Sequence, residues 1–577
     1  MHTIADLIVD GLRSAGVSRI HGLPGDSLNG LTDALRRNPS VTWEHYRHEE
    51  AAAFAAAGEA AVTGSLAVCA GSCGPGNLHL VNGLFEAQRS RVPVLAIAAH
   101  IPGSEIGTGY FQETHPQELF RECSDFCELA ATPEQFPRLL DIALRTAVER
   151  SGVSVLVVPG DVLLHRLDHP RRPSVVLPTA PVVRPGDAEI ERAAALLDAS
   201  ERITILAGAG CAGAHDQLVR LAAALRAPVV HTLRGKEHVE YDNPYDVGMT
   251  GLLGFTSGYR AMERCDTLLM LGTDFPYRQF LPEHATTVQV DVRGEQIGRR
   301  TRVDLALVGT VRDTAEALLP KLAPRTGSQH LDAARAHYVD TRAALDRLAV
   351  DDHDRTPVHP QYLARVVDEL AADDAVFVPD VGSPVIWSAR YLTMNGRRRL
   401  IGSFTHGSMA NALPQAIGVQ SAFPDRQVIA LSGDGGLAML LGDLITLKQQ
   451  RHPVKIVVFN NGALSFVELE MKAEGMVNFG TDLDNPNFAD VATALGIHGR
   501  RVEHPADLGE ALRTAFAHPG PALVEVMTAR QELSVPPTIK FEQAKGFALY
   551  AARTVLSGRG DELLELARTN ISRHLPS

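Results

Sequence analysis

Two segments of the sequence carry residues of the right types and spacing to hold a diphosphate and a metal ion. Gly433-Asp434-Gly435-Gly436 lies between a strand-like run and a helical pattern over 437–450, and Asn461, which ends the next strand-like run, follows Asp434 by 27 residues. Glycines at a helix N-terminus let backbone N–H groups approach phosphate oxygens. Carboxylate and amide oxygens are ligands that Mg2+ prefers and often shares with phosphate. A single Gly-Asp-Gly occurs in ordinary turns, but the pair of segments is specific enough to predict a diphosphate–Mg2+ site.

A glutamate near the N-terminus is a candidate for proton transfer. Glu49 follows Arg47 and His48, and an alanine-rich helical pattern runs from Glu49 to Ala61. Acidic residues in a first helical turn are favoured by the helix dipole, so this pattern alone does not require a catalytic role.

Two further segments with glycine could border the same ligand. Residues 71–77 form a glycine-rich loop after a strand-like run, and Gly407-Ser408-Met409 lies upstream of the metal motif. Glycine allows a ligand to approach the backbone closely. Met409 could instead be an ordinary core methionine, which is a common use of that residue.

Together these segments resemble the motifs of thiamine-diphosphate-dependent 2-oxo-acid decarboxylases and oxidases. The resemblance covers essentially the whole chain. It is close over 20–30, 104–118, 234–238 and 557–562, where the chain is similar to the bacterial quinone-linked pyruvate oxidases, also called pyruvate dehydrogenases (quinone). It implies oxidative decarboxylation of pyruvate to acetate and CO2, with electrons passed through FAD to ubiquinone or menaquinone at the membrane. The implied cofactors are thiamine diphosphate, Mg2+ and FAD.

The resemblance also implies a role for individual residues. Glu49 would bond the aminopyrimidine ring of the thiamine cofactor, and Met409 would wedge between its two rings. The Mg2+ ligands would be Asp434, Asn461 and Ala463. The thiamine diphosphate would be held by Glu49, Gly407, Ser408, Met409, Gly433, Asp434, Gly435, Gly436, Asn461, Gly462, Ala463, Leu464, Ser465, Phe466 and Val467.

The expected catalytic group, which includes the residues bordering pyruvate, is Glu49, Phe111, Gln112, Phe466 and Glu470. Phe466 and Glu470 are four residues apart, so they share one face of a predicted helix just after the metal loop. If this helix lies away from the cofactor, Phe466 is a core residue and Glu470 a solvated one.

The middle of the chain contains a literal G-x-G-x-x-G at 208–213 between a strand-like run and a helical pattern. Alone it would suggest NAD. The acidic residue expected about 20 positions later is missing, because the next strand-like run ends in His231-Thr232. The resemblance instead implies FAD at Asp291, whose strand-end position suits a ribose hydroxyl, and along two segments. These segments are Thr250, Gly251, Leu252 and Leu253, and Thr273, Asp274, Phe275, Pro276 and Tyr277.

Departures from related enzymes narrow the implied activity. Pyruvate decarboxylases have two adjacent histidines where this chain has Phe111-Gln112, which disfavours non-oxidative release of acetaldehyde. Acetolactate synthases carry a tryptophan soon after the metal motif, whereas the only tryptophans here are Trp43 and Trp387. The alternatives are an acetolactate synthase-like transferase, an oxidase that uses phosphate and oxygen, and an inactive paralogue. The presence of Glu49 and of the metal motif counts against the last of these.

The elements that position these residues are α/β in pattern. Strand-like runs alternate with helical patterns, which is typical of doubly wound parallel sheets, and proline-rich or polar breaks occur at 165–187 and 324–328. We predict a pyrimidine-binding domain at 1–180, an FAD-binding domain at 181–335, a diphosphate- and Mg2+-binding domain at 336–530 and a C-terminal helical tail at 531–577. The resemblance implies a thiamine site between the first domain of one subunit and the third of another, in a homotetramer or homodimer.

Composition limits the possible partners. With 45% hydrophobic and 21% charged residues the chain is typical of globular proteins, and its formal net charge of −13 argues against nucleic acid, which requires clustered Lys and Arg. Two pairs of the six cysteines have C-x3-C spacing, which differs from that of zinc ribbons, so buried reduced thiols are the favoured interpretation.

Localisation is predicted from the two ends of the chain. The N-terminus lacks the basic and apolar regions of a signal peptide, which predicts a cytoplasmic protein. In the tail, over 561–572, one helical face collects Leu563, Leu564, Ala567 and Ile571. Such a short amphipathic helix could bind phospholipid at the inner face of the cell membrane without spanning it. The alternative is a helix permanently docked on the protein's own core.

Overall fold

The computed structural model describes residues 2–167, 177, 179, 181–350 and 356–530, and beyond these only residues 532, 549–551, 553, 554, 563, 566 and 570. In this part of the chain, three six-stranded sheets follow one another along the sequence, and every strand pair within them is parallel. The predicted fold class of three parallel-sheet α/β domains is confirmed. The domain boundaries remain a prediction.

The first domain contains a sheet of order β3-β2-β4-β5-β7-β6 and a short antiparallel pair, β1 with β8. Its strands are β1 His2–Thr3, β2 Arg19–Gly22, β3 Thr42–His45, β4 Ala67–Gly71, β5 Val94–His100, β6 Phe126–Leu129, β7 Val153–Pro159 and β8 Arg166–Leu167. Its helices are α1 Ile4–Ser14, α2 Asn29–Arg37, α3 Glu49–Thr63, α4 Pro75–Ser90, α5 Pro116–Leu119, α6 Phe136–Arg150 and α7 Gly160–Leu164.

The second domain contains a sheet of order β11-β10-β9-β12-β13-β14. Its strands are β9 Ile203–Ala207, β10 Val229–His231, β11 Asp246–Met249, β12 Thr267–Leu271, β13 Thr286–Asp291 and β14 Leu305–Val308. Its helices, including the long helix that leads to the third domain, are α8 Asp187–Ala199, α9 His215–Leu225, α10 Lys236–Val239, α11 Thr256–Glu263, α12 Val311–Leu318 and α13 Gln329–Leu348.

The third domain contains a sheet of order β16-β15-β17-β18-β20-β19. Its strands are β15 Val376–Pro379, β16 Arg399–Leu400, β17 Val428–Gly433, β18 Lys455–Asn460, β19 His498–Val502 and β20 Ala522–Met527. Its helices are α14 Pro360–Leu370, α15 Ser383–Tyr391, α16 Ala412–Ala422, α17 Asp434–Met439, α18 Leu444–Gln450, α19 Ser465–Ala473, α20 Phe488–Ala494 and α21 Pro505–Ala517. When the strands are numbered within each six-stranded sheet, the first and third sheets have the same strand order.

Each sheet is buried on both faces. In β5, Leu95 and Ile97 pack into one hydrophobic core, whereas Val94 and Ala96 pack into another on the opposite face. Residues of β12 and β18 alternate between two cores in the same way. Parallel strands covered on both faces have continuous apolar sequences, which is why these strands were visible as uninterrupted apolar runs.

The first and third domains pack together through α3 and α16. A Cβ atom at Gly58 would lie 2.6 Å from the carbonyl oxygen of Gln415, and one at Gly418 would lie 2.0 Å from that of Ala55. Glycine is required at both positions because the two helix backbones approach within the space that a side chain would occupy.

An arginine joins all three domains at this junction. Arg399 of β16 pairs with Glu237 of α10, with 2.9 Å between Nε and Oε2. The same guanidinium donates to the carbonyl oxygens of Ala61 and Val62 at the end of α3, each at 3.1 Å. These bonds satisfy carbonyls that a helix end would otherwise leave unpaired.

The structure corrects one element prediction near the diphosphate motif. The helical pattern over 437–450 forms two helices, α17 and α18, instead of one. At the break, the buried carboxylate of Asp443 accepts the backbone N–H of Arg47 at 3.1 Å and the hydroxyl of Thr446 at 2.7 Å. A contact to a residue so distant in sequence leaves no trace in helical periodicity.

The burial predicted for the cysteines is confirmed. All six cysteines are free thiols, and five are buried, with Cys127 half-buried. Burial raises the pKa of the Cys69 and Cys123 thiols to about 12, as expected for thiols in apolar surroundings.

Little of the tail belongs to the described residues. The predicted stripe of Leu563, Leu564, Ala567 and Ile571 lies outside them apart from Leu563. Within the described ranges, no helix has both the length and the apolar character needed to cross a bilayer.

Candidate active site

The buried carboxylate of Asp434 lies at the carboxyl end of β17. Its Oδ1 accepts the N–H of Gly435 at 3.0 Å, and its Oδ2 accepts the N–H of Gly462 at 2.9 Å and the amide of Asn485 at 2.8 Å. Burial raises the pKa of Asp434, against the lowering effect of these donors. Among the described residues, Asp434 accepts only from neutral N–H groups, so a bound cation would compensate the charge of its ionised form.

The predicted metal loop follows β18 and meets Asp434 through Gly462. The side chain of Asn461 donates to Ser465 Oγ at 3.0 Å and accepts the N–H of Ala463 at 3.1 Å. A carboxylate, an amide oxygen and the backbone carbonyls of a tight loop are the hard oxygen donors that suit Mg2+. The residues present therefore fit the predicted ion.

The predicted wedge lies against the diphosphate motif. A Cβ atom at Gly435 would lie 3.2 Å from Leu464 and 3.3 Å from the terminal methyl of Met409. Gly407 and Ala410 on either side of this methionine have φ of 79° and 68°, left-handed values that are unusual for alanine. The structure thus brings together the 407–409, 433–436 and 461–467 segments.

The buried carboxylate of Glu49 lies in the first turn of α3, which begins after His48. Its Oε2 is 2.9 Å from Nδ1 of His79, and the rings of His48 and His79 stack with centroids 4.2 Å apart. The ligand atoms of these three residues all lie within 4.8 Å of one another. The carboxylate is therefore held beside a group that can exchange a proton with it.

The glycine-rich loop 71–77 packs directly onto this glutamate. A Cβ atom at Gly76 would lie 3.0 Å from Glu49 Oε1 and 2.8 Å from Ser72 Oγ. Glycine is thus needed at this position for contact with the carboxylate itself.

Phe111 and Gln112 have different surroundings. Gln112 adopts φ of 63° and accepts a bond from Cys73 Sγ at 3.3 Å, so it lies on the glycine-rich loop. The ring of Phe111 is 76% exposed, so that it packs against little of its own chain. Within a single chain, therefore, Gln112 contacts the glycine-rich loop of the site, whereas Phe111 remains largely exposed.

Phe466 and Glu470 lie on α19 as predicted. Phe466 is half-buried at the edge of a core, and Glu470 is exposed. Burial raises the pKa of Tyr277, and the negative charge of nearby Glu470 raises it further. Phe466 and Leu253 pack against the same hydrophobic core, so the helix that follows the metal loop and the segment predicted to bind FAD share this core.

The central sheet has a topological switch point between β9 and β12, where the chain reverses the direction in which it adds strands. Ligands of such sheets bind outside the carboxyl ends of the strands at this point. Gly208, Thr273 and Asp291 follow or end the three central strands there. Two of these three were predicted FAD contacts.

The glycines of 208–213 are explained by packing between these strand ends. A Cβ atom at Gly208 would lie 2.5 Å from the Cβ of Thr273, and one at Gly210 would lie 2.6 Å from the Cα of Gly272. The G-x-G-x-x-G pattern therefore needs no NAD, in agreement with the missing acidic residue.

The predicted FAD segments lie together around buried polar groups. Thr250 is buried, and its hydroxyl has no hydrogen-bond partner among the described residues. Gly251, with φ of 100°, lies against the ring of Phe275. The rings of Phe275 and Tyr277 are arranged edge-on, with their centroids 5.6 Å apart. The predicted set also includes half-buried Leu252 and Leu253, half-buried Asp274, buried Thr273 and exposed Pro276.

Charges surround these segments. Asp274 pairs with Arg91 of the first domain at 2.5 Å, and Asp291 accepts the N–H of Arg293 at 2.9 Å. Burial raises the pKa of Asp291 and lowers that of Arg293, one of whose terminal nitrogens lacks a partner among the described residues. An unpaired hydroxyl, a carboxylate and an arginine fit the ribose and diphosphate of a dinucleotide.

Sequence reasoning missed three residues of this site. His79 and Asn485 bond directly to Glu49 and Asp434, and Arg91 bonds to Asp274. His79 could have been found from the sequence, because it is a histidine near the start of the helix that follows the glycine-rich loop. The other two partners are brought together only by the fold.

Three domain families of thiamine pyrophosphate enzymes match the chain: the N-terminal TPP binding domain over residues 2–119, the central domain over 190–318 and the C-terminal TPP binding domain over 380–526. The chain is 34% identical over 573 residues to the "Putative thiamine pyrophosphate-containing protein YdaP" of Bacillus subtilis, with 98% of each chain covered.

Two relatives of known name are about equally similar. The pyruvate oxidase of Lactiplantibacillus plantarum is 28% identical over 531 residues, covering 90% of this chain and 87% of the relative. The large subunit of acetolactate synthase isozyme 2 of Escherichia coli is 30% identical over 533 residues, covering 90% and 95%. Together with the matched domains and the site geometry, these similarities show that the chain belongs to the superfamily of thiamine pyrophosphate-dependent enzymes.

Proposed function

We propose that the protein is a pyruvate dehydrogenase (quinone). It converts pyruvate, water and an oxidised quinone into acetate, CO2 and the reduced quinone, so that two electrons and two protons pass to the quinone. The observation that carries this proposal is that Phe466, on the helix after the metal loop, and Leu253, in the predicted FAD segment, pack against the same hydrophobic core. A thiamine site next to a flavin site suits a decarboxylation coupled to oxidation.

When bound, thiamine diphosphate would supply the carbon nucleophile and electron sink for decarboxylation, Mg2+ would neutralise its diphosphate, and FAD would accept two electrons. Asp434, Asn461 and the carbonyl of Ala463 would hold the ion. Glu49 would hold a proton at the aminopyrimidine ring, and His79 at 2.9 Å could exchange that proton.

The substrate would lie beside α19. Phe466 would exclude water from the reacting carbon. Glu470 would be available for proton transfer at the edge of the substrate site. Gln112 would reach the same region from the glycine-rich loop, and Phe111 would meet a second subunit.

Acetolactate synthesis is the second candidate, because the acetolactate synthase relative is as similar as the pyruvate oxidase relative. The chain lacks the tryptophan expected for it after the metal loop. The two relatives have similar sequence identity to this chain, so identity does not decide between the two reactions. The reaction products must be identified instead.

The deciding experiment uses purified protein with thiamine diphosphate, Mg2+ and FAD. We expect a yellow protein whose flavin absorbance is bleached by anaerobic pyruvate and restored by a soluble quinone, with acetate as the product. A main product of acetolactate would instead identify the transferase. Acetyl phosphate formed with phosphate and oxygen would identify the other type of oxidase.

A homo-oligomer is part of the proposal, with a tetramer expected. Phe479 and Phe111 are 88% and 76% exposed, and exposed aromatic rings of this size favour burial against another subunit. Light scattering of the purified protein measures the assembly. A monomer that retains full activity would contradict the expected site between subunits.

The tail is proposed to bring this cytoplasmic enzyme to phospholipid at the inner face of the membrane. Tyr550 and Thr554 are buried, and Arg553 donates to the carbonyl of Gly475, just after α19, at 2.8 Å. The start of the tail is thus connected to the proposed substrate helix. Deletion of residues 555–577 should abolish sedimentation with phospholipid vesicles after pyruvate is added. Unchanged sedimentation and unchanged lipid activation would contradict this role.

A further inference from the structure

One face of α4 carries three polar residues at helical spacing: His79, Asn82 and Glu86. His79 contacts Glu49, as described above. At the other end, buried Glu86 accepts the hydroxyl of Ser403. Helix α4 therefore lies between the first turn of α3 and the segment that carries Met409.

Asn82, at the centre of this face, bonds to both of these segments. Its Nδ2 is 2.7 Å from Oε1 of Glu50 and 2.9 Å from Oγ of Ser408. Its Oδ1 is 2.8 Å from Nε2 of His406. An uncharged amide can donate two such bonds and accept the third, which neither a carboxylate nor a hydroxyl can do.

The bonds continue to the methionine. The hydroxyl of Ser408 donates to the carbonyl of Met409 at 2.9 Å, and the N–H of Ser408 donates to Oγ of Ser403, also at 2.9 Å. Glycine precedes this serine with φ of 79°, so the local backbone alone does not fix the segment. Side-chain bonds from α4 must fix it.

We propose that Asn82 is a positioning residue that fixes Met409 relative to Glu49. Each thiamine site is expected between the first domain of one subunit and the third domain of another. Within one chain, Asn82 therefore joins the segment of Glu49, which faces one site, to the segment of Met409, which faces another. This inference rests on the proposed function, since it assumes that both residues face bound thiamine diphosphate. Misplacement of groups by about 1 Å can cost about 100-fold in rate.

The test compares Asn82→Ala, Asn82→Asp and the double variant Asn82→Asp with Glu50→Gln. The aspartate variant keeps the shape of the side chain and can still accept from His406, but its charge opposes that of Glu50. The second substitution removes that repulsion and supplies an amide that can donate to the new carboxylate. Three properties are measured: the rise in Tm on adding thiamine diphosphate and Mg2+, the near-ultraviolet circular dichroism of the bound cofactor, and kcat and KM for pyruvate.

We expect Asn82→Ala and Asn82→Asp to lower kcat by about 10- to 100-fold, with a smaller change in KM and an altered dichroism of the bound cofactor. The double variant should recover much of the loss from Asn82→Asp. A merely structural role would lower the Tm of the cofactor-free protein without changing kcat or the dichroism, and that result would overturn the proposal.

Gln88→Glu is the matched control on the same helix. Gln88 donates to Asp125 at 3.1 Å, so this variant also sets a new carboxylate against an existing one, but away from Met409. It should lower stability and leave the cofactor dichroism unchanged. Wild-type protein that is not stabilised by thiamine diphosphate and Mg2+ would overturn the proposed function and this inference with it. Stabilised wild type with normal kcat in Asn82→Ala would overturn the inference alone.

Discussion

The first and third domains have the same strand order but place different chemistry at the carboxyl ends of their strands. Among the carboxylates at these strand ends, Glu49 of the first domain and Asp434 of the third are both buried. Glu49 lies beside the imidazole of His79, whereas Asp434 accepts only N–H groups, from Gly435, Gly462 and Asn485.

This difference indicates which chemistry each carboxylate can perform. A carboxylate bonded to an imidazole can exchange a proton with it, since imidazole gains and loses protons readily near neutral pH. A buried carboxylate that has only neutral donors is neutralised by a proton or by a cation, and the oxygen donors of the loop beside Asp434 suit a cation. We propose that one scaffold provides a proton-transfer edge at Glu49 in the first domain and a metal edge at Asp434 in the third, each through residues that follow its strands.

The largest effect should come from breaking the proton-transfer edge. Glu49→Gln keeps the size of the side chain but removes its proton exchange, so pyruvate turnover should fall by about 100- to 10,000-fold. Stabilisation by cofactor and Mg2+ should persist. Glu50→Gln is the control at the adjacent position and should cost much less. Near-normal turnover in Glu49→Gln would remove this residue from the mechanism.

A change at the metal edge should weaken the binding of thiamine diphosphate with Mg2+. A ligand at 100 times its Kd stabilises a protein by about 2.7 kcal/mol, and Asp434→Ala should lose most of this increment for thiamine diphosphate with Mg2+. Asp443→Asn is the control, because Asp443 is also buried but bonds to Arg47 and Thr446. It should lower the starting Tm and keep the increment. An undiminished increment in Asp434→Ala would show that the metal assignment is wrong.

Packing beneath the metal edge provides a test that needs no ligand. A Cβ atom at Gly436 would lie 1.7 Å from Oδ2 of Asp380, whereas one at Gly442 meets nothing within 4 Å. Overpacking typically costs about 1–3 kcal/mol, so Gly436→Ala should lower the free energy of unfolding by at least this amount. Gly442→Ala should be neutral or slightly stabilising. Equal denaturant midpoints for the two variants would contradict the close approach.

The last prediction concerns pH. Burial raises the pKa of Asp380 to about 7, so the folded protein holds this proton more tightly than the unfolded chain does. Its contribution to stability is therefore complete below about pH 4 and is lost as the pH rises towards 7, with a slope of at most about 1.4 kcal/mol per pH unit. Asp380→Asn should remove this slope. Parallel curves of unfolding free energy against pH for wild type and variant would contradict the shift.

Local sequence determined the residues that end each strand. Asp434, Asn461 and Glu49 were identifiable because parallel strands bring their carboxyl ends to one edge, so a motif after each apolar run predicts a shared site. The three-domain α/β fold was predictable for the same reason, since continuous apolar runs between helical patterns require sheets covered on both faces.

The tertiary structure alone decided which partners these residues have. Asn485 reaches Asp434 across 51 residues, and Asn82 reaches Ser408 across 326. The G-x-G-x-x-G at 208–213 has the local form of a nucleotide motif, yet its first two glycines accommodate Gly272 and Thr273 of a neighbouring strand end. Such contacts depend on how helices and sheets pack in three dimensions, and local periodicity and spacing carry no information about that packing.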